Sequence, residues 1–297
     1  MTAKSSAPFG LLATAMITPF ASSGGVDHEA AWRLARHLSD HGTDTLVVAG
    51  TTGESPTLSD DEKMALFVTV IEAVQEKDTL VVAGTGTNDT RHSVEMSQRA
   101  ADVGADGVLA VTPYYNKPSQ TGQLGHFSAI ADVGLPVMIY NIPSRTAVKT
   151  EVETLVKLAS HPNIAAVKDA TLDLEATAAT IERAPSLPVY SGQDTFTLPM
   201  LAVGAVGVVS VVAHLAGPTI KAMIKAAYDG DWTKARKLHN ELLPLCEACF
   251  LETNPTPVKA AMNAFWEPVG DVRLPLVSAS DDTVGAIEKA LGALQGL

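Results

Sequence analysis

Apolar runs rich in valine, isoleucine and leucine recur along the chain at 12–17, 45–49, 79–83, 107–111, 136–140, 164–168, 188–191 and 207–212. Each is followed by a stretch with helical periodicity and capping residues. The runs are apolar throughout instead of alternating, which implies burial on both faces. Alternation with helices implies parallel strands joined by crossovers. Eight such units before residue 230 predict an α/β fold, a (β/α)8 TIM barrel, whose usual size is about 250 residues. A doubly wound sheet has the same alternation but fits eight comparable units less well.

After residue 212 the strand pattern stops, and helical periods follow at 218–228, 232–252, 256–266 and 281–294. The first closes the barrel as its eighth helix. The other three form an appended C-terminal bundle, so the chain divides into a barrel over 1–229 and a helical domain over 230–297. No low-complexity linker separates the two, so the bundle is expected to pack firmly on the barrel.

A barrel of this kind places its chemistry at the C-terminal ends of its strands. The residues just after the apolar runs match that expectation: Gly50-Thr51-Thr52-Gly53-Glu54, Gly84-Thr85-Gly86-Thr87-Asn88, Thr112-Pro113-Tyr114-Tyr115, Tyr140-Asn141-Ile142-Pro143-Ser144-Arg145-Thr146, Lys168-Asp169 and Ser191-Gly192-Gln193-Asp194. Lys168 is the most informative of them, because it ends a run in which every physical preference is for an aliphatic side chain. Burial disfavours an ammonium ion and lowers its pKa, leaving an amine able to attack carbonyls. The bland alternative is a lysine at the end of an edge strand, pointing into water.

The Gly50–Gly53 turn offers amides and two hydroxyls suited to a small carboxylate, or it is simply a turn. The Gly84-Thr85-Gly86 segment lacks the third glycine of a dinucleotide fingerprint. Tyr140 ends the strand before the one that carries Lys168, where a phenol can exchange protons with an imine or satisfy a carbonyl. Arg145 suits a bidentate clamp on a carboxylate, or is a solvated charge. No carboxylate pair and no metal-ligand cluster stands among these loops, which favours covalent amine catalysis; no metal and no separate cofactor is expected.

Composition narrows the field. The chain has 297 residues, 46% of them hydrophobic and 18% charged, enough for a large core, and its net charge of −12 disfavours nucleic acid and anionic membranes as partners. The apolar stretch at 11–17 is too short for a membrane span and lacks a signal-peptide cleavage site, so a cytoplasmic protein is expected. Cys246 and Cys249 fall deep in a helical pattern, unlike redox pairs that open a helix after a strand. His37 and His41 have the spacing of a metal clamp but no third ligand nearby, and a solvated helix face is expected.

Five ordered motifs carry a family resemblance: Gly50-Thr51-Thr52-Gly53-Glu54-Ser55, Tyr114-Tyr115-Asn116-Lys117-Pro118-Ser119-Gln120, Tyr140-Asn141-Ile142-Pro143-Ser144-Arg145-Thr146, Val167-Lys168-Asp169 and Asn254-Pro255-Thr256-Pro257-Val258-Lys259. On these the chain resembles the dihydrodipicolinate synthases, within the pyruvate-dependent class I aldolase and N-acetylneuraminate lyase superfamily. The resemblance runs from Thr18-Pro19-Phe20 to Arg273-Leu274-Pro275. It implies that Lys168 forms a Schiff base with pyruvate, that the enamine attacks aspartate 4-semialdehyde, and that the adduct cyclises and leaves by transimination. That reaction begins the branch to diaminopimelate and lysine. Tyr140 then matches the proton donor and acceptor, and Thr51 the hydroxyl linking it to Tyr115, a phenol that reaches into the neighbouring subunit. Thr52 and the Val209 backbone match positions holding pyruvate, with Gly192 close by, and Arg145 matches the clamp on the semialdehyde carboxylate.

The resemblance also implies a homo-oligomer, a tetramer built as a dimer of dimers. The related N-acetylneuraminate and sugar-acid lyases share the lysine and the tyrosine, but usually lack the Ser-Arg-Thr after the proline. A non-catalytic scaffold would have no need of Thr51, Tyr115, Tyr140, Arg145 and Lys168 together. Some relatives are inhibited by lysine at a site between subunits, matched here by Ser55, Pro56, Asp60, Lys63, Asn88, His92 and Tyr114. Lysine-sensitive relatives often carry histidine where Lys63 stands and glutamate where His92 stands. Inhibition is therefore expected to be weak, because Lys63 repels the effector's ammonium and a carboxylate is missing at His92.

Overall fold

The computed structural model describes residues 7–295. Eight parallel strands close into a barrel in sequential order: β1 Leu12–Ala15, β2 Thr45–Val48, β3 Leu80–Gly84, β4 Gly107–Val111, β5 Val137–Asn141, β6 Ile164–Asp169, β7 Val189–Ser191 and β8 Gly207–Ser210. Closure comes from β8 pairing with β1, with Val209 opposite Ala13. A closed barrel has no edge strand, so a lysine on β6 has no open sheet edge from which to escape into water.

The apolar runs become strands because each supplies two buried faces. Residues pointing inward form one core, including Ala13, Val47, Val82, Leu109, Met138, Tyr140, Ala166, Tyr190 and Val209, while residues pointing outward pack under the helices. The lower mouth is plugged by Phe9, whose amide donates to the Tyr190 hydroxyl at 3.0 Å. Helices α1 His28–Asp40, α2 Asp60–Val74, α3 Thr90–Asp102 and α4 Gln120–Ala131 follow the first four strands. A one-turn α5 at Pro143–Thr146 precedes α6 Val152–Leu158; α7 Leu174–Arg183, α8 Thr197–Ala202 and α9 Ala213–Tyr228 complete the ring. Side chains of Asp27, Ser59, Asp89, Ser119 and Asp173 cap α1, α2, α3, α4 and α7, which sets where each helix begins.

Helix α9 starts at Ala213, five positions before the start expected at Pro218. The Ser210 hydroxyl accepts from the Ala213 amide at 2.8 Å and nucleates a first turn, which then kinks at Ala216 ahead of the proline. Three further helices follow, α10 Trp232–Ala248, α11 Thr256–Phe265 and α12 Asp281–Gln295. Among the described residues none is long and apolar enough to cross a membrane. Leu242, Leu245 and Cys246 of α10 and Ile287 of α12 share a buried cluster with Leu12, Val208 and Ile224, so these helices and this side of the barrel have one continuous core.

Two minor expectations are settled by packing. Cys246 and Cys249 are buried thiols, and desolvation pushes both upward in pKa, the reverse of what a redox pair needs. His41 is exposed, as expected of a solvated face, whereas His37 is half-buried. Its ring lies 4.1 Å from His41 and 4.9 Å from Trp266, so the C-terminal segment covers it.

Candidate active site

Side chains alternate along a strand, and Ala166 of β6 points into the barrel, so Lys168 does the same one layer higher. There it is 5% exposed. Its register partner on β5 is Tyr140, and the ammonium nitrogen stands 4.1 Å from the centre of that ring. Desolvation holds the Lys168 amine down at about 8, with Arg145 lowering it further and Asp194 opposing. Asp194 is itself buried, accepting from the Ser210 hydroxyl and, at 3.0 Å, from the Val211 amide. Desolvation raises the Asp194 carboxyl, while these donors and Lys168 hold it down.

Burial also pushes the Tyr140 phenol up to about 12, while Arg145 and a hydrogen bond with Thr51 pull it down. At neutral pH the phenol is therefore a proton donor beside an amine close to its own titration range. Thr51, Tyr140 and Arg145 line a cavity of about 440 Å³ at the C-terminal ends of the strands.

The turn after β2 is tightly determined. A β-carbon on Gly53 would come within 2.9 Å of the Ala49 α-carbon, which only glycine avoids, and Glu54 follows in the left-handed region at φ 55°. The Thr18 hydroxyl donates to the Gly53 carbonyl at 2.7 Å and fixes the turn from β1. The amides of Thr51, Thr52 and Gly53 take no backbone acceptor among the described residues. Three free donors in one turn can receive an anion.

Gly192 is differently employed. Its amide donates to the Asp169 carbonyl at 2.7 Å, and a β-carbon there would meet Ala170 at 2.9 Å, so the residue is small because β6 and β7 approach closely. Asp169 points out of the barrel, accepting from the Thr177 hydroxyl at 2.7 Å and the Thr171 amide at 2.9 Å. Val209 is buried in the inner layer beside Ala13. Tyr115 does not join the others within one chain. It is 90% exposed, in the left-handed region at φ 71°.

Ser55, Pro56, Asp60, Lys63, Asn88, His92 and Tyr114 line the outer part of the cavity that reaches Tyr140. Asp60 is engaged by His92 at 2.9 Å, and burial lowers the Lys63 ammonium while Asp60 supports it. Among the described residues no group of three metal-ligating side chains is assembled.

Three residues that chemistry-bearing loops alone did not single out hold this site together. The Lys259 ammonium of α11 donates to Glu54 at 2.8 Å, with both side chains 1% exposed, and it lies 3.9 Å from the Phe20 ring. The Arg273 amide donates to the other Glu54 oxygen at 2.8 Å. Asn254 donates through its side chain to the Thr52 hydroxyl at 3.0 Å and accepts from Arg145 on its main-chain carbonyl at 3.3 Å. All three fall in segments that carry the family resemblance, 254–259 and 273–275, and Lys259 is also a second lysine within an apolar stretch.

A family model, the dihydrodipicolinate synthetase family, matches residues 8–294 of the chain. The 4-hydroxy-tetrahydrodipicolinate synthase of Moorella thermoacetica is 50% identical over 285 residues, 95% of this chain and 97% of that protein. That of Synechococcus sp. strain CC9605 is 51% identical, covering 97% of this chain and 96% of its own. Among solved structures, the DHDPS of Cyanidioschyzon merolae with lysine bound superposes at a TM-score of 0.95 and 44% identity, over 97% of this chain and 99% of that one.

Proposed function

The chain belongs to the dihydrodipicolinate synthetase family, and from that premise we infer that it condenses pyruvate with L-aspartate 4-semialdehyde to 4-hydroxy-tetrahydrodipicolinate. The observation that carries this reading is the buried amine of Lys168 against the ring of Tyr140, which lines a cavity together with Thr51 and Arg145. In this reading Lys168 attacks the pyruvate carbonyl carbon, water leaves, and an imine forms. Loss of a methyl proton gives the enamine, whose carbon bonds to the aldehyde carbon. The resulting alkoxide takes a proton relayed through Tyr140. The amino group of the former semialdehyde then displaces the lysine from the imine carbon, closing the ring and freeing Lys168.

The Thr51–Gly53 amides and the Thr52 hydroxyl would hold the pyruvate carboxylate, with the Val209 backbone across the barrel. Arg145 would hold the carboxylate of the semialdehyde, and the requirement for that anion separates this chemistry from lyases acting on polyhydroxylated aldehydes. Arg145→Ala should raise the KM for semialdehyde about tenfold to a hundredfold, the scale of a lost charged hydrogen bond, while pyruvate KM stays within twofold. Equal loss for both substrates, or faster turnover with N-acetylmannosamine than with the semialdehyde, contradicts the reading.

The exposed and conformationally constrained Tyr115 supports a homodimer in which this phenol completes the neighbour's proton relay, with a tetramer formed from two such dimers. At the outer cavity, Lys63 and the Asp60-bound His92 leave little uncompensated negative charge for a cationic effector. Lysine should therefore inhibit weakly, and an inhibition curve with half-loss of activity below millimolar lysine overturns that expectation.

A further inference from the structure

Asn254 reaches the active site from the segment between α10 and α11, and its two ends serve two different substrate anchors. The side-chain amide nitrogen donates to the Thr52 hydroxyl at 3.0 Å, while the main-chain carbonyl accepts from Arg145 at 3.3 Å. Both Thr52 and Asn254 are buried. The side-chain oxygen of Asn254 is buried without a partner among the described residues.

A threonine hydroxyl has one proton to give and two lone pairs to fill. Here Asn254 fills a lone pair, and Thr52 donates to no protein group among its described contacts. With the amide nitrogen toward Thr52, one Asn254 proton occupies the hydroxyl oxygen, and the hydroxyl proton is left for another acceptor. We propose that Asn254 is a positioning residue that sets the polarity of Thr52, committing the hydroxyl proton to the pyruvate carboxylate. The proposal rests on the reading of Thr52 as a pyruvate anchor.

Asn254→Asp keeps the shape and reverses the polarity. An ionised carboxylate accepts the Thr52 proton and adds a negative charge beside the substrate anion. Pyruvate KM should rise about tenfold to a hundredfold, and semialdehyde KM should stay within twofold, because the main-chain carbonyl that meets Arg145 is unchanged. The penalty should shrink as pH falls, because a protonated carboxyl no longer carries the charge and can itself donate. Asn254→Ala, which removes the donor without adding charge, should raise pyruvate KM about threefold to tenfold with no pH dependence of the ratio, and it carries the test should the aspartate variant not fold.

Pyruvate KM within twofold of the parent in the folded variants overturns the proposal. So does a parallel rise in both KM values, since that is what general loosening of the segment would produce. Borohydride trapping of pyruvate on the unsubstituted protein separates the two levels. If no pyruvate is trapped there, the underlying reading fails; if it is trapped and Asn254 proves indifferent, only the present proposal does.

Discussion

Lys168→Arg and Lys168→Ala should each lose at least about 10⁴-fold in kcat/KM, the scale at which removal of an enzymic nucleophile is felt. Arginine preserves a cation and most of the volume, but a guanidinium stays protonated and cannot add to a carbonyl under these conditions. Its failure would therefore separate nucleophilicity from charge. The amine of Lys168, held down at about 8, has roughly a tenth of its population free at pH 7. Because the free base reacts, the rate of imine formation should rise through about pH 8 and level off above it. Steady-state kinetics and a rapid-mixing pH series check both statements. An alanine variant with more than a hundredth of parental activity, or a rate that falls with rising pH in this window, contradicts them. Lys168→Ala, unlike Lys168→Arg, removes a desolvated cation from the barrel interior, so its loss of activity cannot be ascribed to a trapped charge.

Lys259→Met should instead unfold the protein more readily, by about 3–5 kcal/mol, because it leaves the Glu54 carboxylate buried without its ion-pair partner. The Arg273 amide would remain on one Glu54 oxygen. Glu54 occupies a left-handed position at the end of the turn that offers amides to substrate, so the lost anchor should also loosen that turn and raise pyruvate KM. Replacing both partners, Glu54→Gln with Lys259→Met, removes the uncompensated charge and should recover most of the stability. Urea unfolding of the two single variants and the double variant checks this. Equal stability of Lys259→Met and the parent, or a double variant no better than Lys259→Met, would show that the pair has no such role.

These two lysines show what the sequence could reveal. Both stand in apolar stretches, and burial holds both near 8. Strand periodicity identified one, because a run at 164–168 had to be a strand of a closed barrel and its last residue had to face the site. Lys259 falls in a helical period, where nothing local reveals its partner, a carboxylate 205 positions away. Apolar runs are local signals, so all eight strands and the polar ends that follow them were legible. Asn254 to Thr52, Lys259 to Glu54 and Ser210 to Asp194 are contacts made only when the barrel closes and the C-terminal helices pack against it. Helix α9 shows a smaller gap of the same kind, since its first turn depends on the side chain of Ser210 and not on its own periodicity.

The C-terminal segment thus touches the proposed substrate anchors without lining the cavity. Asn254 touches both proposed carboxylate anchors, and Lys259 secures the turn that carries one of them. On the proposed reading this placement divides labour: barrel strands would supply the reacting groups, and the later segment would hold their surroundings rigid.

The most direct measurement is to incubate the protein with pyruvate, reduce with borohydride, digest it and locate the modified peptide by mass spectrometry. A single reduced pyruvate adduct on Lys168, lost in Lys168→Arg, is the expected result. No adduct, or an adduct on another lysine such as the buried Lys63 or Lys259, would contradict the assignment of Lys168 as the amine that carries the reaction.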